Sequence, residues 1–151
     1  MKQQTNSLKT NDGLSLLTRL WRPDNNARGT IVIAHGYGEH SGRYRHVAEY
    51  FVQQGYAVYA LDHRGHGQSR GDLLGYFERF EMMADDLRRF IEWVRTEDKA
   101  GPLFLLGHSM GGLVALYYTI SNQAMLKGLV LSGTLLPTSN TVSASSRTMR
   151  S

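Results

Sequence analysis

Apolar residues along this chain fall into two alternating rhythms. Thr30 to Ala34 and Ala57 to Leu61 are short, unbroken apolar runs, the composition of a strand buried on both faces. Leu103 to Leu106 and Leu129 to Leu131 repeat that signal. Between them the period lengthens. Tyr44 to Gln54 places Val47, Ala48, Phe51 and Val52 at helical spacing, and Gly55 suits the end of that helix. Phe80 to Glu97 carries apolar residues at 80, 83, 84, 87, 90, 91 and 94, which predicts an amphipathic helix. Leu113 to Ile120 is apolar nearly all round, which predicts a buried one. Ahead of these, Thr5 to Thr10 and Leu14 to Trp21 flank Asn11-Asp12-Gly13, a hairpin signal. Pro23 to Arg28 reads as a polar turn, and residues 35–43 and 62–71 as loops.

Strands alternating with helices predict an α/β fold with a mostly parallel, doubly wound sheet. Ligands in such sheets sit at the carboxyl ends of the strands. His35, Asp62, Ser109 and Ser132 each fall at or just after such an end. From Leu136 the character changes to a Ser/Thr-rich stretch without apolar periodicity. Residues 1–135 therefore read as one domain and residues 136–151 as a disordered tail. No internal repeat is visible.

Composition narrows the classes. The chain has 151 residues, enough for one domain with a real core, and its 10% aromatic content argues against disorder. The net charge of +4 comes from scattered Lys and Arg. No basic run marks a nucleic-acid arm, so the charge reads as solubility. There is no cysteine, hence no disulfide framework and no thiolate chemistry. Met1 to Thr10 is polar with no apolar core of a secretory signal, and no apolar stretch is long enough to span a bilayer. The expectation is a soluble cytoplasmic protein.

The chemistry centres on Gly107-His108-Ser109-Met110-Gly111, with Gly112 after it. An apolar run, Pro102 to Leu106, leads in, and a helix-favouring run leads out. G-x-S-x-G in a strand–turn–helix context is the pattern of a nucleophile elbow. Its glycines admit a sharp, strained turn that presents the serine hydroxyl at the sheet edge. The competing reading is a serine in an ordinary glycine turn; the flanking strand, helix and glycines favour the nucleophile. His35-Gly36-Tyr37-Gly38 follows a predicted strand. It reads either as a glycine loop whose His packs locally, or as the source of a second oxyanion amide. In the second reading the Tyr37 N–H faces the Met110 N–H, and two amides converging on one oxygen are the minimum for a tetrahedral intermediate. His35 itself reads as structural.

Asp62-His63-Arg64-Gly65-His66-Gly67 does not match a phosphate-cradling glycine pattern. His63 and His66 lie three apart with no cysteine nearby, so a structural turn outweighs a metal ligand pair. Asp62 is expected to accept backbone amides of its own turn. His108 neighbours Ser109 on the opposite side of a tight bend, so packing beneath the turn is expected rather than action as a base.

With GHSMGG, HGYGEHSGRY and DHRGHGQS in view, the chain resembles the monoacylglycerol lipase/lysophospholipase group of α/β-hydrolases, of the serine aminopeptidase type. The resemblance runs from about Thr5 to about Leu135. It implies an α/β-hydrolase fold and hydrolysis of a carboxylic ester through an acyl-serine. The implied substrates are small-molecule acyl glycerols or lysolipids. It implies Ser109 as nucleophile, the Tyr37 and Met110 amides as oxyanion hole, no cofactor and no metal.

The departure lies after Ser109. In the family the acid and then the histidine follow the serine. Here no Asp, Glu or His follows it, and the only charges are Lys127, Arg147 and Arg150. The expectation is thus the N-terminal portion of a hydrolase, truncated after about the sixth strand, with a crippled site. An open edge at Leu129 to Leu131 would favour self-association. Transient contact with a membrane or lipid is the other partner expected; nucleic acid is not. Two further readings stand beside the hydrolase. One is a non-catalytic module that binds a small apolar ligand or a partner chain. The other is a nucleotide-binding α/β domain, disfavoured by its glycine pattern.

Overall fold

The computed structural model describes residues 1–69, 71, 73–99, 101–134 and 136. The expected tail, apart from Leu136, lies outside the described residues. Six strands form one sheet: β1 (Lys2–Lys9), β2 (Ser15–Arg22), β3 (Thr30–Ala34), β4 (Ala57–Leu61), β5 (Leu103–His108) and β6 (Gly128–Ser132). Their spatial order is β1-β2-β4-β3-β5-β6. β1 and β2 form the antiparallel hairpin that Asn11-Asp12-Gly13 predicts, with Gly13 at φ 84°. β2 runs antiparallel to β4, and β4, β3, β5 and β6 are mutually parallel.

Three helices connect the strands: α1 (Arg45–Gln53), α2 (Phe80–Glu97) and α3 (Met110–Asn122). The pleat explains why β3 and β4 are buried throughout. Val32, Ala57, Tyr59 and Leu61 pack with α2 and α3 on one face. Ile31, Ile33, Val58 and Ala60 pack with α1 on the other. A strand between two helical layers has no polar face to offer. α2 buries Met83, Ala84, Leu87, Phe90, Ile91 and Val94, the stripe its periodicity predicts. Gly55 ends α1 at φ 91°, where its N–H reaches the Val52 carbonyl at 2.9 Å. Among the described residues, no helix is long and apolar enough to cross a membrane.

Two expectations need adjustment. α1 is preceded by a 3-10 turn, Ser41–Tyr44, whose Ser41 and Tyr44 are buried. α3 begins at Met110 rather than Leu113, and it is only partly buried: Tyr117 and Ile120 are 47% and 67% exposed. The cause is positional. Its Val114, Ala115 and Tyr118 face the sheet and α2, and nothing among the described residues covers the remaining side.

The α2 stripe also hides a charge. Asp86 is 1% exposed and meets Arg64, from the turn after β4, through two bonds of 2.6 and 2.8 Å. The same guanidinium reaches Asp12 of the hairpin turn at 3.0 and 3.2 Å. One buried cation thus ties the hairpin, the β4 loop and α2 together. A desolvated pair is costly to break because its surviving member stays buried and uncompensated. Arg64→Ala should lower the unfolding free energy by about 3–5 kcal/mol in urea titration. A loss below about 1 kcal/mol would place the pair among surface bridges instead.

Candidate active site

The parallel strands end in register. Ala34 aligns with Leu61 and with Gly107, and His108 aligns with Ser132. His35, Asp62 and Ser109, which follow these strands, and Ser132, the last residue of β6, therefore gather at one end of the sheet, as the strand pattern predicts.

Ser109 occupies the bend between β5 and α3 with φ 52° and ψ −117°. Among the described residues it is the one non-glycine with positive φ. L-residues pay steric strain there, which persists only where the surroundings impose it. The surroundings are visible. The Ser109 N–H is fixed on the Ser132 carbonyl at 2.9 Å, and the Ser109 carbonyl accepts the Leu113 N–H at 3.2 Å. A Cβ on Gly107 would meet the Gly111 carbonyl oxygen and the Gly112 Cα, each at 2.6 Å. A Cβ on Gly111 would collide with the Ala34 and His35 carbonyl oxygens. The helix therefore starts pressed against the ends of β3 and β5. Met110 is its first residue, so the Met110 N–H has no intrahelical acceptor and sits at the positive end of the helix dipole.

The Gly36 turn lies directly against this bend. The position where Gly36 lacks a Cβ is 3.3 Å from the Ser109 Cβ and 3.4 Å from the His108 Cδ2. Within the turn, the Glu39 N–H reaches the Gly36 carbonyl at 3.2 Å, and the Gly36 N–H reaches the Glu39 Oε2 at 2.7 Å. Gly38 reverses the chain at φ 74°. No protein acceptor among the described residues takes the Tyr37 N–H. The Tyr37 side chain is 63% exposed, with its ring edge-on to His66 at 5.2 Å.

Behind the turn lies a feature the sequence did not announce. His35, His63 and His66 are all buried, with ring centroids 4.5 Å (35–63) and 5.3 Å (35–66) apart. His35 Nδ1 donates to the Gly36 carbonyl at 2.7 Å, and its Nε2 accepts the His63 backbone N–H at 3.0 Å. One neutral tautomer satisfies both bonds. Burial holds His35 down at about 4, and burial with neighbouring imidazoles holds His63 well below the usual range. His35 is structural, as expected, but it also anchors the turn next to Ser109.

Asp62 accepts the Gln68 N–H of its own turn at 2.9 Å, as expected, and also binds the Ser41 N–H at 2.7 Å, joining two loops. His108 is half-buried, with Nδ1 3.2 Å from the Ser132 Oγ. Glu39 escaped the sequence reading. Burial alone would raise its carboxyl, but donors from Gly36 and Tyr44, with His108 and Arg43 nearby, hold it below the ordinary range. The signal was available in Glu39 lying three residues after Gly36, the reach of a turn-closing side chain. Among the described residues, no group of three or more His, Asp or Glu is arranged to hold a metal ion.

This geometry is that of the α/β hydrolases, and comparison bears the class out. The solved soluble variant of monoglyceride lipase from Saccharomyces cerevisiae, in complex with a substrate analogue, superposes with a TM-score of 0.80 at 26% identity. That match covers 97% of this chain and 49% of the other. The family model for serine aminopeptidase, S33, matches residues 25–150, and the chain belongs to that family. A monoacylglycerol lipase of Mycolicibacterium smegmatis is 40% identical over 121 residues, covering 80% of this chain and 43% of its own length. Human monoglyceride lipase is 36% identical over 120 residues, covering 80% of this chain and 39% of its own. The chain thus spans about two-fifths of the length of these curated relatives.

The buried His35 gives a pH dependence of stability. Its proton affinity is lower folded than unfolded, so the unfolded chain binds more protons between pH 6.5 and about 4. Stability is therefore full above pH 6.5 and falls with acid through that window, by about 3 kcal/mol for this residue. His35→Asn should flatten that part of the profile of urea midpoint against pH. A wild-type midpoint unchanged between pH 7 and 4.5 would contradict the assignment.

Proposed function

We propose that this chain carries the nucleophile and oxyanion-hole half of a carboxylic-ester hydrolase that acts on monoacylglycerols or lysolipids. The observation that carries the reading is the strained bend at Ser109, with the Gly36 turn against it. In this reading the Ser109 hydroxyl attacks the ester carbonyl carbon and its proton passes to a base. The tetrahedral oxyanion is received by the Tyr37 and Met110 N–H groups. Collapse expels the glycerol or lysolipid alcohol, and water then releases the fatty acid from the acyl-serine. The names borne by the bacterial and human relatives support a glyceride ester as substrate. No metal or cofactor enters this route.

The route needs an acid and a histidine, and no Asp, Glu or His follows Ser109 here. An unassisted serine hydroxyl is a weak nucleophile; oxyanion stabilisation and binding alone leave slow residual catalysis. A fluorophosphonate probe should therefore label Ser109 at least about a hundredfold more slowly than the serine of the Mycolicibacterium relative, with labelling lost in Ser109→Ala. Rapid labelling would show that a competent base is present and would overturn this account of the site.

A specific surface favours the second reading, a module that meets another chain. β6 is one of the sheet's two edge strands among the described residues, and it exposes Val130 (52%) and Leu131 (39%). Such an edge offers unpaired backbone and apolar side chains together. Concentration-dependent self-association should appear in sedimentation velocity, and Val130→Lys should weaken it by about tenfold. A wild-type monomer at every accessible concentration would remove this second reading.

A further inference from the structure

We infer that Glu39 is a positioning residue of the oxyanion turn: its carboxylate holds the Gly36 N–H and its backbone N–H the Gly36 carbonyl, so that the Tyr37 N–H on that same peptide is left as an uncommitted donor beside Ser109. The inference rests on the reading of that N–H as an oxyanion donor. Besides Glu39, the side chain that holds the turn is His35, whose Nδ1 donates to the Gly36 carbonyl at 2.7 Å. Gly36 and Gly38 supply no side chains, and the Tyr37 ring points to solvent and His66. Gly38 at φ 74° lets the chain double back, but two glycines in four residues leave many other conformations open.

Glu39 closes that freedom with two bonds to one residue. Its side-chain Oε2 takes the Gly36 N–H at 2.7 Å, and its backbone N–H reaches the Gly36 carbonyl at 3.2 Å. The first of these has an ionised acceptor and is short, the stronger class of hydrogen bond. The carboxylate is in turn anchored from the 3-10 turn that precedes α1. The Tyr44 hydroxyl donates to the same Oε2 at 2.9 Å, and Arg43 Nη1 stands 3.7 Å from Oε1. The bond is also in the right place. The point where Gly36 lacks a Cβ is 2.9 Å from the Glu39 Oε2 and 3.3 Å from the Ser109 Cβ. Gly36 is thus a thin wedge between the carboxylate and the serine, and any shift of its peptide is a shift at the site.

A carboxylate this close to a developing oxyanion would oppose it if its charge were free. Here Gly36, Tyr44 and Arg43 take that charge up. Glu39 can therefore aim the turn without repelling the intermediate.

The test uses the full chain, with amide hydrogen exchange and Ser109 phosphonylation read side by side. Glu39→Ala should speed exchange at Gly36 by about tenfold or more while β3 and α1 keep wild-type protection. It should slow labelling of Ser109 by a fluorophosphonate by about tenfold relative to the wild-type chain's own rate. Glu39→Gln retains an acceptor oxygen and should recover most of the Gly36 protection. Tyr44→Phe should cost about threefold in labelling. Unchanged Gly36 exchange in Glu39→Ala, with Ser109 reactive, overturns the inference, as does exchange raised equally through β3 and α1. A wild-type Ser109 that never reacts, with Gly36 exchange still governed by Glu39, instead sinks the hydrolase reading and leaves the fixing of the turn by Glu39 standing.

Discussion

The contact between the start of α3 and the ends of β3 and β5 constrains everything at this sheet edge. Gly111 packs so tightly on the Ala34 and His35 carbonyls that no side chain fits, and Gly107 is closed off by Gly111 and Gly112 in the same way. A helix pressed this close to the strand it follows leaves one residue to make the reversal, and Ser109 makes it at positive φ. The strain is held by a long-range bond as well as a local one, since the Ser109 N–H is committed to Ser132 on the neighbouring strand while its carbonyl accepts the Leu113 N–H. The bend thus depends on β6 being paired with β5. Stability of the sheet edge and geometry of the hydroxyl are one property.

How much of this could be read beforehand follows from which forces leave periodic traces. β3, β4 and α2 begin and end where their apolar patterns do, because burial on two faces, or on one stripe, leaves no freedom in residue type. The elbow was legible because close backbone approach demands glycine, and glycine is visible in a sequence. α3 misled for the opposite reason. An all-round apolar helix predicts burial, but Tyr117 and Ile120 face outward among the described residues. Hydropathy records what a residue tolerates and says nothing of which neighbour supplies the cover.

The polar framework was least legible. Asp86 looks like a solvent-side residue of α2, yet it is buried on Arg64 from a loop 22 positions earlier. Ser41 and Asp62 meet across 21 positions, and Glu39 binds back onto Gly36. The first two join segments far apart in the chain, which no period connects; the third closes a turn through a side chain, which hydropathy does not record. The register of β3 with β4 puts the Ser41 and Asp62 loops side by side.

The same framework bears on whether this chain could supply its own base. A general base needs a lone pair that is accessible and close to the hydroxyl it serves. Both nitrogens of His35 are engaged, one on Gly36 and one on His63. His63 is fully buried and strongly resists protonation. His66 is buried as well, with Nδ1 at 3.0 Å from the Arg64 carbonyl. His108 turns its Nδ1 to Ser132. Among the described residues, the His35 ring is therefore committed at both nitrogens, the His63 ring and the His66 Nε2 are buried without a partner, and Glu39, the carboxylate against the Gly36 turn, is committed to that turn. On the proposed reading, such a constellation would set where an ester carbonyl reacts and leave proton transfer to groups outside it.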